Sequence, residues 1–209
     1  MPGKGPPDFH VLLRPDDTVL LILDYQERFV ARLPAGLRES LANSTLALAK
    51  LARSCQAPVV LSNVSPRIAA DKAADPLKEY LPSEAEQYRS TLNCWEDPAL
   101  YQGIEGLRRR RLLIAGLWTE SAVSFAALSA LEIGYDVYAV TDAMAGLTAA
   151  SHETAIRRLM QAGVVPISWL QLLFEWYRIV SVKQEPAAQA LAQLAGEHAD
   201  LDFEHYALR

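Results

Sequence analysis

The sequence has few residues that could hold a fold together covalently or through metal ions. Its 209 residues include two cysteines and four histidines. Cys55 and Cys94 lack the close pairing of a redox motif and the clustering of a zinc site, and they form no disulfide framework. The histidines show no HxxH spacing, and the one Asp-x-His sequence, Asp8 to His10, has no further ligand nearby. We therefore predict no metal site.

The chain also lacks long apolar segments and an excess of positive charge. No run reaches the ~18 apolar residues of a membrane span, and residues 1–10 contain no signal-peptide core. The formal net charge is −5, whereas nucleic acids and anionic membranes bind basic surfaces. The one basic run, Arg108 to Arg111, is interpreted as a solvated helix end before a strand. We expect a cytoplasmic protein that binds neither nucleic acid nor membrane.

Apolar segments and helical periodicity alternate along the chain. Five short, partly β-branched apolar segments predict strands: Thr18–Leu23, Pro58–Ser62, Arg111–Gly116, Asp136–Thr141 and Val164–Ser168. Three intervening segments have apolar residues three and four apart and predict helices: Leu37–Ser54, Glu120–Ile133 and Ser151–Ala162. Strands that are apolar on both sides are typical of a parallel sheet covered by helices on both faces. The pattern predicts a doubly wound, mainly parallel α/β domain.

No composition shift divides the chain, so we predict a single domain over residues 1–209. Residues 1–12 are expected to form an irregular lead-in because they contain several Pro and Gly residues. Residues 183–209 are expected to form a helical extension. Its predicted helix, Ala187–Ala195, would pack on the domain or on a neighbouring subunit.

Ligands of such sheets bind where the strands end, which directs attention to three segments. These are Asp24 with the two residues after it, the segment after Ser62, and residues 117–120. Asp24 has two interpretations that the sequence alone leaves open: an N-cap of the next helix, or a buried acid or base. For Thr119 and Ser121 we favour helix capping, because no histidine has an obvious reason to pair with them.

Several ordered motifs resemble the isochorismatase-like cysteine hydrolase family, in its YcaC-like branch. They cover most of the chain from about Leu13 onward: LLILDYQ, YRSTLNCWED, AGLWTESAVSFAALSALEIGYDVYAVTDAMAG and HETAIRRLMQAGVVPISW. The resemblance implies a three-layer α/β/α fold, hydrolysis of a small amide, imide or ester, and no cofactor. It also implies a small-molecule substrate and assembly as a homo-oligomer.

The resemblance also assigns catalytic positions. Asp24 stands at the family's acid/base aspartate, Arg89 at its cationic member, and Ala122 at its nucleophilic cysteine. The turn that holds an oxyanion corresponds to Leu117, Trp118 and the backbone of Ala122. A cis peptide is expected between Leu117 and Trp118.

Aromatic and amide side chains near these positions are expected to line the substrate pocket. They are Tyr25, Asn93, Trp95 and Trp118. Cys94 lies within the same element as Arg89. We interpret it as a buried structural thiol rather than as a relocated nucleophile.

Alanine at position 122 keeps its backbone N–H but cannot attack a carbonyl, so we expect impaired turnover. Three explanations stay open at this point. The cysteine was replaced deliberately, which the intact Asp24 and Arg89 favour; or the chain uses non-covalent chemistry, in which Asp24 protonates a vinyl ether; or it is a natural pseudoenzyme kept as a binding or assembly subunit.

Overall fold

Six parallel strands form the centre of the protein. In the computed structural model, which describes residues 11–64, 77–81, 86–183 and 185–200, the strands lie in the order β3-β2-β1-β4-β5-β6. Their bounds are β1 Thr18–Leu23, β2 Val59–Val64, β3 Glu86–Arg89, β4 Arg111–Leu117, β5 Asp136–Ala145 and β6 Val165–Ile167. The strand order reverses between β1 and β4, and their carboxyl ends form the edge at which doubly wound sheets bind ligands.

Helices cover both faces of the sheet and confirm the three-layer α/β/α prediction. Their bounds are α1 Glu27–Val30, α2 Ala35–Ser54, α3 Leu77–Tyr80, α4 Pro98–Gly106, α5 Ser124–Glu132, α6 Ala149–Ala162, α7 Trp169–Lys183 and α8 Glu185–Ala199. One apolar core joins the sheet to α2, α7 and α8, and the other joins it to α4, α5 and α6. β1 contributes Leu20 and Ile22 to the first core, and Leu21 and Leu23 to the second. This two-sided burial explains its unbroken apolar sequence.

All five predicted strands are present; β1 has the predicted bounds, and each of the others has at least one end shifted by one to four residues. The sixth, β3, was not predicted. Its sequence EQYR is polar, and it occupies an edge of the sheet where three of its four residues are partly or largely exposed. An edge strand needs no continuous apolar pattern, so periodicity gives no signal for it.

The predicted helix Glu120–Ile133 begins differently from the expectation. Residues Thr119–Val123 form one turn of π-helix, and the regular helix α5 starts only at Ser124. The carbonyl of Thr119 accepts a hydrogen bond from the Ser124 hydroxyl. Position 122 therefore lies inside the wider turn.

The C-terminal helix packs on the domain. α8 is longer than the predicted Ala187–Ala195, and its side chains Leu191, Leu194 and Ala195 are buried in the core shared with α2 and α7. Of the predicted lead-in and extension, residues 1–10 and 201–209 lie outside the described residues, as does most of the segment after Ser62. No helix in the described ranges is long and apolar enough to span a membrane.

Candidate active site

Asp24 leaves the end of β1 with its carboxylate held by the neighbouring strand. Its Oδ1 accepts a 2.6 Å hydrogen bond from the backbone N–H of Val64, the last residue of β2. The side chain does not cap a helix, because α1 begins at Glu27 and its N-cap residue is Gln26. Only 3% of Asp24 is exposed. Gln26 therefore holds the N-cap position that the capping interpretation gave to Asp24, and the Asp24 carboxylate is enclosed by the protein.

Arg89, at the end of β3, forms a two-pronged ion pair with this carboxylate. Its Nη1 donates to Oδ1 of Asp24 at 2.9 Å, and its Nη2 donates to Oδ2 at 2.6 Å. Nη1 also donates to the Ser62 carbonyl at 2.9 Å. Arg89 is 2% exposed, and its Nε–H has no hydrogen-bond partner among the described residues. The predicted acid and cation are therefore in direct contact, with one buried donor left over.

Burial dominates the protonation of Asp24. Removal of the carboxylate from water raises its pKa above the usual value, although the Arg89 guanidinium and the Val64 N–H act in the opposite direction. A carboxyl group with a raised pKa exchanges protons closer to neutral pH than an exposed aspartate does. This property suits a general acid or base.

The turn after β4 lies beside Asp24 because β1 and β4 are paired. Leu23 faces Gly116 in the parallel register, so the residues that follow each of them leave the sheet at adjacent points. The peptide bond between Leu117 and Trp118 is cis, as expected from the resemblance.

Ala122 occupies a special place in this turn. The Trp118 carbonyl accepts hydrogen bonds from the N–H groups of Ser121, at 3.0 Å, and Val123, at 3.3 Å, which flank position 122. Ala122 itself is 1% exposed. Single turns of π-helix inside α-helices are frequent at functional sites, because they change the direction of one backbone position. The turn is thus a suitable place for an N–H group that stabilises an oxyanion.

Cys94 is buried between the ion pair and the start of α5. It is 0% exposed and belongs to the apolar core that contains Leu23 and Val123. Burial raises the pKa of its thiol to about 12, and the charges of Arg89 and Asp24 are close enough to affect it. A thiol with this pKa is almost wholly protonated at neutral pH, which supports the structural interpretation.

The residues predicted to line the pocket pack on different sides of the sheet. Tyr25 is buried in the core beneath α2, where burial raises the pKa of its phenol to about 12. Asn93 donates to the Ser129 hydroxyl at 3.0 Å, and Trp95 donates through Nε1 to the Ala126 carbonyl at 2.7 Å. Both residues therefore fasten their segment to α5. Trp95 and Trp118 pack against opposite cores, so only Trp118 keeps a position at the turn.

A histidine at the turn was missed by the sequence analysis. Thr119 Oγ1 lies 2.8 Å from His152 Nδ1, and no side chain caps the turn, so the capping interpretation of Thr119 and Ser121 is wrong. His152 lies in the first turn of α6, which follows β5, the neighbour of β4. The position of His152 after β5 is the signal that could have indicated its place at the turn, and it can be used only when the strand order is known. Burial lowers the pKa of His152, which favours the neutral imidazole at neutral pH.

The chain is an α/β protein whose six-stranded parallel sheet lies between two helical layers. A buried carboxylate–guanidinium pair lies beside a turn at the switch point of the sheet, where doubly wound folds bind their ligands. The sequence identifies the family. Residues 18–171 match the model of the isochorismatase domain, and the chain belongs to that family.

Two relatives place the chain more narrowly. It is 29% identical over 170 residues to "Probable hydrolase YcaC" of Escherichia coli strain K12, covering 81% of this chain and 82% of that protein. The solved YcaC structure of Pseudomonas aeruginosa, with hexane-2,5-diol and covalent acrylamide, superposes with a TM-score of 0.83 at 26% identity. That superposition covers 93% of this chain and 95% of the other. The E. coli YcaC structure, described as an octameric hydrolase of unknown specificity, gives a TM-score of 0.82 at 26% identity and covers 97% and 100% of the two chains.

Proposed function

We propose that the protein has a hydrolase site that holds a small carbonyl compound between Asp24, Arg89 and the turn at Ala122. We also propose that alanine at position 122 prevents the covalent step of the reaction, because it has no nucleophilic atom. One observation carries the proposal: a buried, bidentate Asp24–Arg89 pair lies at the strand end next to the π-turn. Amides, imides and esters are the substrate class that fits an acid, a cation and backbone N–H donors.

The chemistry proposed for a cysteine at position 122 is balanced by these residues. The Asp24 carboxylate takes the thiol proton while sulfur attacks the substrate carbonyl, whose oxygen becomes the oxyanion held by backbone N–H groups of the turn. The carbonyl re-forms as the C–N or C–O bond breaks, and Asp24 returns the proton to the leaving atom. Asp24 then takes a proton from water, whose oxygen attacks the thioester carbonyl, and the C–S bond breaks as Asp24 gives that proton to sulfur. The methyl group of Ala122 can perform none of the sulfur steps.

The decisive experiment restores sulfur at position 122. We expect Ala122→Cys to hydrolyse small amides or activated esters at least ~100-fold faster than the unchanged chain, which corresponds to about 2.7 kcal/mol of transition-state stabilisation. Ala122→Ser is the matched control, because it adds a heavy atom of similar position without a thiolate. An Asp24→Asn change in the Ala122→Cys background should abolish the gain. If Ala122→Cys is folded but inert across a broad panel of amides and esters, the proposal is wrong.

A second candidate function follows from the raised pKa of Asp24. A protonated carboxyl group could donate its proton to the terminal carbon of a vinyl ether, after which water adds to the resulting oxocarbenium ion and the C–O bond breaks. This reaction needs no thiol. Hydrolysis of a vinyl ether by the unchanged chain, lost in Asp24→Asn, would favour it over the covalent proposal. Inactivity of both proteins combined with tight binding of a protein partner would instead favour a pseudoenzyme.

We also propose that the chain forms a homo-oligomer. The E. coli relative is octameric, and in this chain Tyr88, Leu92 and Phe125 expose apolar surface on the elements around the site. Light scattering at several concentrations tests this directly. A monomer at every concentration up to the micromolar range would contradict the proposal.

A further inference from the structure

A cavity of about 320 Å³ has Trp118 in its wall. Its walls are largely apolar and include Trp118, Leu33, Leu37, Met144 and Leu147. Neither Asp24 nor Arg89 nor Ala122 lines it. The volume is at the lower end of the range of small-molecule sites, which are usually apolar with a few polar groups that orient the ligand.

Two polar groups at the cavity have unused hydrogen-bonding capacity. In the part of the chain that the structure describes, the Arg32 guanidinium makes no hydrogen bond or ion pair. The His152 ring uses Nδ1 on Thr119, and its Nε2 has no partner among the described residues. When the Thr119 hydroxyl donates to Nδ1, the neutral ring carries its proton on Nε2. The cavity then offers one cation and one neutral donor. Its lining includes no Asp or Glu side chain, but the Glu120 carboxylate lies next to it, where it accepts a hydrogen bond from the Leu147 N–H and its charge acts on His152.

We propose that this cavity binds a small monocarboxylic acid with an apolar body, such as a six-carbon aliphatic or a single-ring acid. The hydrocarbon body would pack against the apolar walls, and the carboxylate would accept hydrogen bonds from the Arg32 guanidinium and from the Nε2–H of His152. Guanidinium groups recognise carboxylates through charge-assisted hydrogen bonds. An ammonium ligand would be repelled by Arg32, and a neutral ligand would leave the guanidinium without a partner.

Occupancy of the cavity is connected to the turn by two contacts. Trp118 forms a wall of the cavity and supplies the carbonyl that holds the turn at position 122. His152 bonds Thr119, the first residue of the same turn. Through these contacts, a ligand in the cavity can affect the turn. The carboxylate in the cavity belongs either to a separate ligand or to the same molecule that binds at the ion pair.

Equilibrium binding of hexanoate, hexanamide and hexylamine to the unchanged full-length chain, measured by calorimetry, tests the proposal. We expect hexanoate to bind at least tenfold more tightly than the other two. Arg32→Gln should weaken hexanoate binding about tenfold, the low end of what a hydrogen bond to a charged group contributes. Arg53→Gln is the matched control, since it removes an exposed arginine near the other end of α2. Equal binding of hexanoate and hexanamide, or no saturable binding at millimolar hexanoate, would overturn the proposal.

Variants of apolar residues and of Asp24 locate the bound acid. Leu37→Asn should weaken hexanoate binding, whereas Ile133→Asn should not; the two side chains are 42% and 48% exposed, so both variants should fold. Asp24→Asn should leave hexanoate binding unchanged, which separates this site from the proposed catalytic one. If Asp24→Asn changes the affinity and Arg32→Gln does not, the acid binds at the ion pair and the inference is wrong. Competition between hexanoate and a carboxylate-bearing amide substrate of Ala122→Cys would identify the acid as the end of the substrate.

Discussion

Gly116 of β4 lies against the backbone of Leu23 of β1 so closely that a Cβ atom on it would be 2.0 Å from the Leu23 carbonyl oxygen. The glycine also has φ +114°, a backbone conformation that L side chains rarely adopt. This contact fixes the separation of the two strand ends that carry Asp24 and the turn. The position of the site therefore depends on a residue that has no side chain.

The first prediction concerns this glycine. Gly116→Ala should reduce the free energy of unfolding by more than ~4 kcal/mol, because backbone atoms must move to remove the overlap. Urea denaturation of the purified variant measures the loss. Gly106→Ala, at the end of α4 where a Cβ would meet nothing within 4 Å, is the control and should change stability by less than ~1 kcal/mol. Similar stability of both variants would contradict the described contact.

The second prediction concerns the buried ion pair. Arg89→Met should cost ~3–5 kcal/mol, because it leaves a buried carboxylate without its cation. Adding Asp24→Asn to that variant should recover part of the loss, which gives a coupling energy of ~1–3 kcal/mol in a double-mutant cycle. The exposed pair Arg157–Glu153 on α6 is the reference, with an expected coupling below ~0.5 kcal/mol. Additive effects at positions 24 and 89 would show that the pair is not coupled.

The third prediction concerns the two thiols. Burial raises the pKa of Cys94 and of Cys55 to about 12. At pH 8 each should therefore react with iodoacetamide at least ~100-fold more slowly than free cysteine, and both should react readily after unfolding. Peptide mass spectrometry over time measures each site. Fast, selective alkylation of native Cys94 would contradict the prediction and favour its interpretation as a relocated nucleophile. In that case Cys94→Ala should abolish any hydrolysis by the chain.

The fourth prediction concerns His152 and pH. Its folded-state pKa lies below the unfolded value of 6.5, so below pH 6.5 the unfolded chain binds this proton more readily than the folded chain. The contribution of His152 to stability is thus complete above pH 6.5 and is lost as the pH falls through that value and below it. NMR titration of the imidazole should give a midpoint below 6.5. His152→Gln should flatten the pH dependence of the unfolding free energy between pH 7 and 5, and an unchanged slope would contradict the assignment.

The fifth prediction concerns the acid limb of the pH profile of Ala122→Cys. Burial raises the folded-state pKa of Asp24 above 3.8, and the proposed thiol chemistry needs its carboxylate form. The kcat/KM of Ala122→Cys should therefore fall on the acid side with a midpoint above pH 3.8. An acid limb at or below pH 3.8 would argue against Asp24 as the base.

Local patterns predicted the layers of the fold but not the partners of individual side chains. The apolar run of β1 predicts a strand buried on both faces, and Asp24 after it stands out as a carboxylate at a strand end. The pairing of Thr119 with His152 joins residues 33 positions apart. It depends on β5 lying next to β4, which no local periodicity encodes.

For a similar reason, the sequence does not show which aromatic residues pack together. Tyr25 and Trp118 pack on one side of the sheet and Trp95 on the other. Tyr25 and Trp118 each follow a predicted strand, but the side on which each aromatic residue packs is set by the backbone that leads into it. At Asp24 that backbone has a positive φ of 51°, which the sequence does not reveal for a non-glycine residue.

The bonds of Asp24 and Arg89 reach the ends of three strands: β1 through Asp24 itself, β2 through Ser62 and Val64, and β3 through Arg89. Selection for folding alone would therefore suffice to keep both residues in a lineage that had lost its chemistry. An intact acid–cation pair beside an alanine is therefore expected both in an enzyme that lost its activity during evolution and in one whose cysteine was replaced deliberately. After a natural loss of activity, substitutions should accumulate instead at positions whose only function is to contact a ligand.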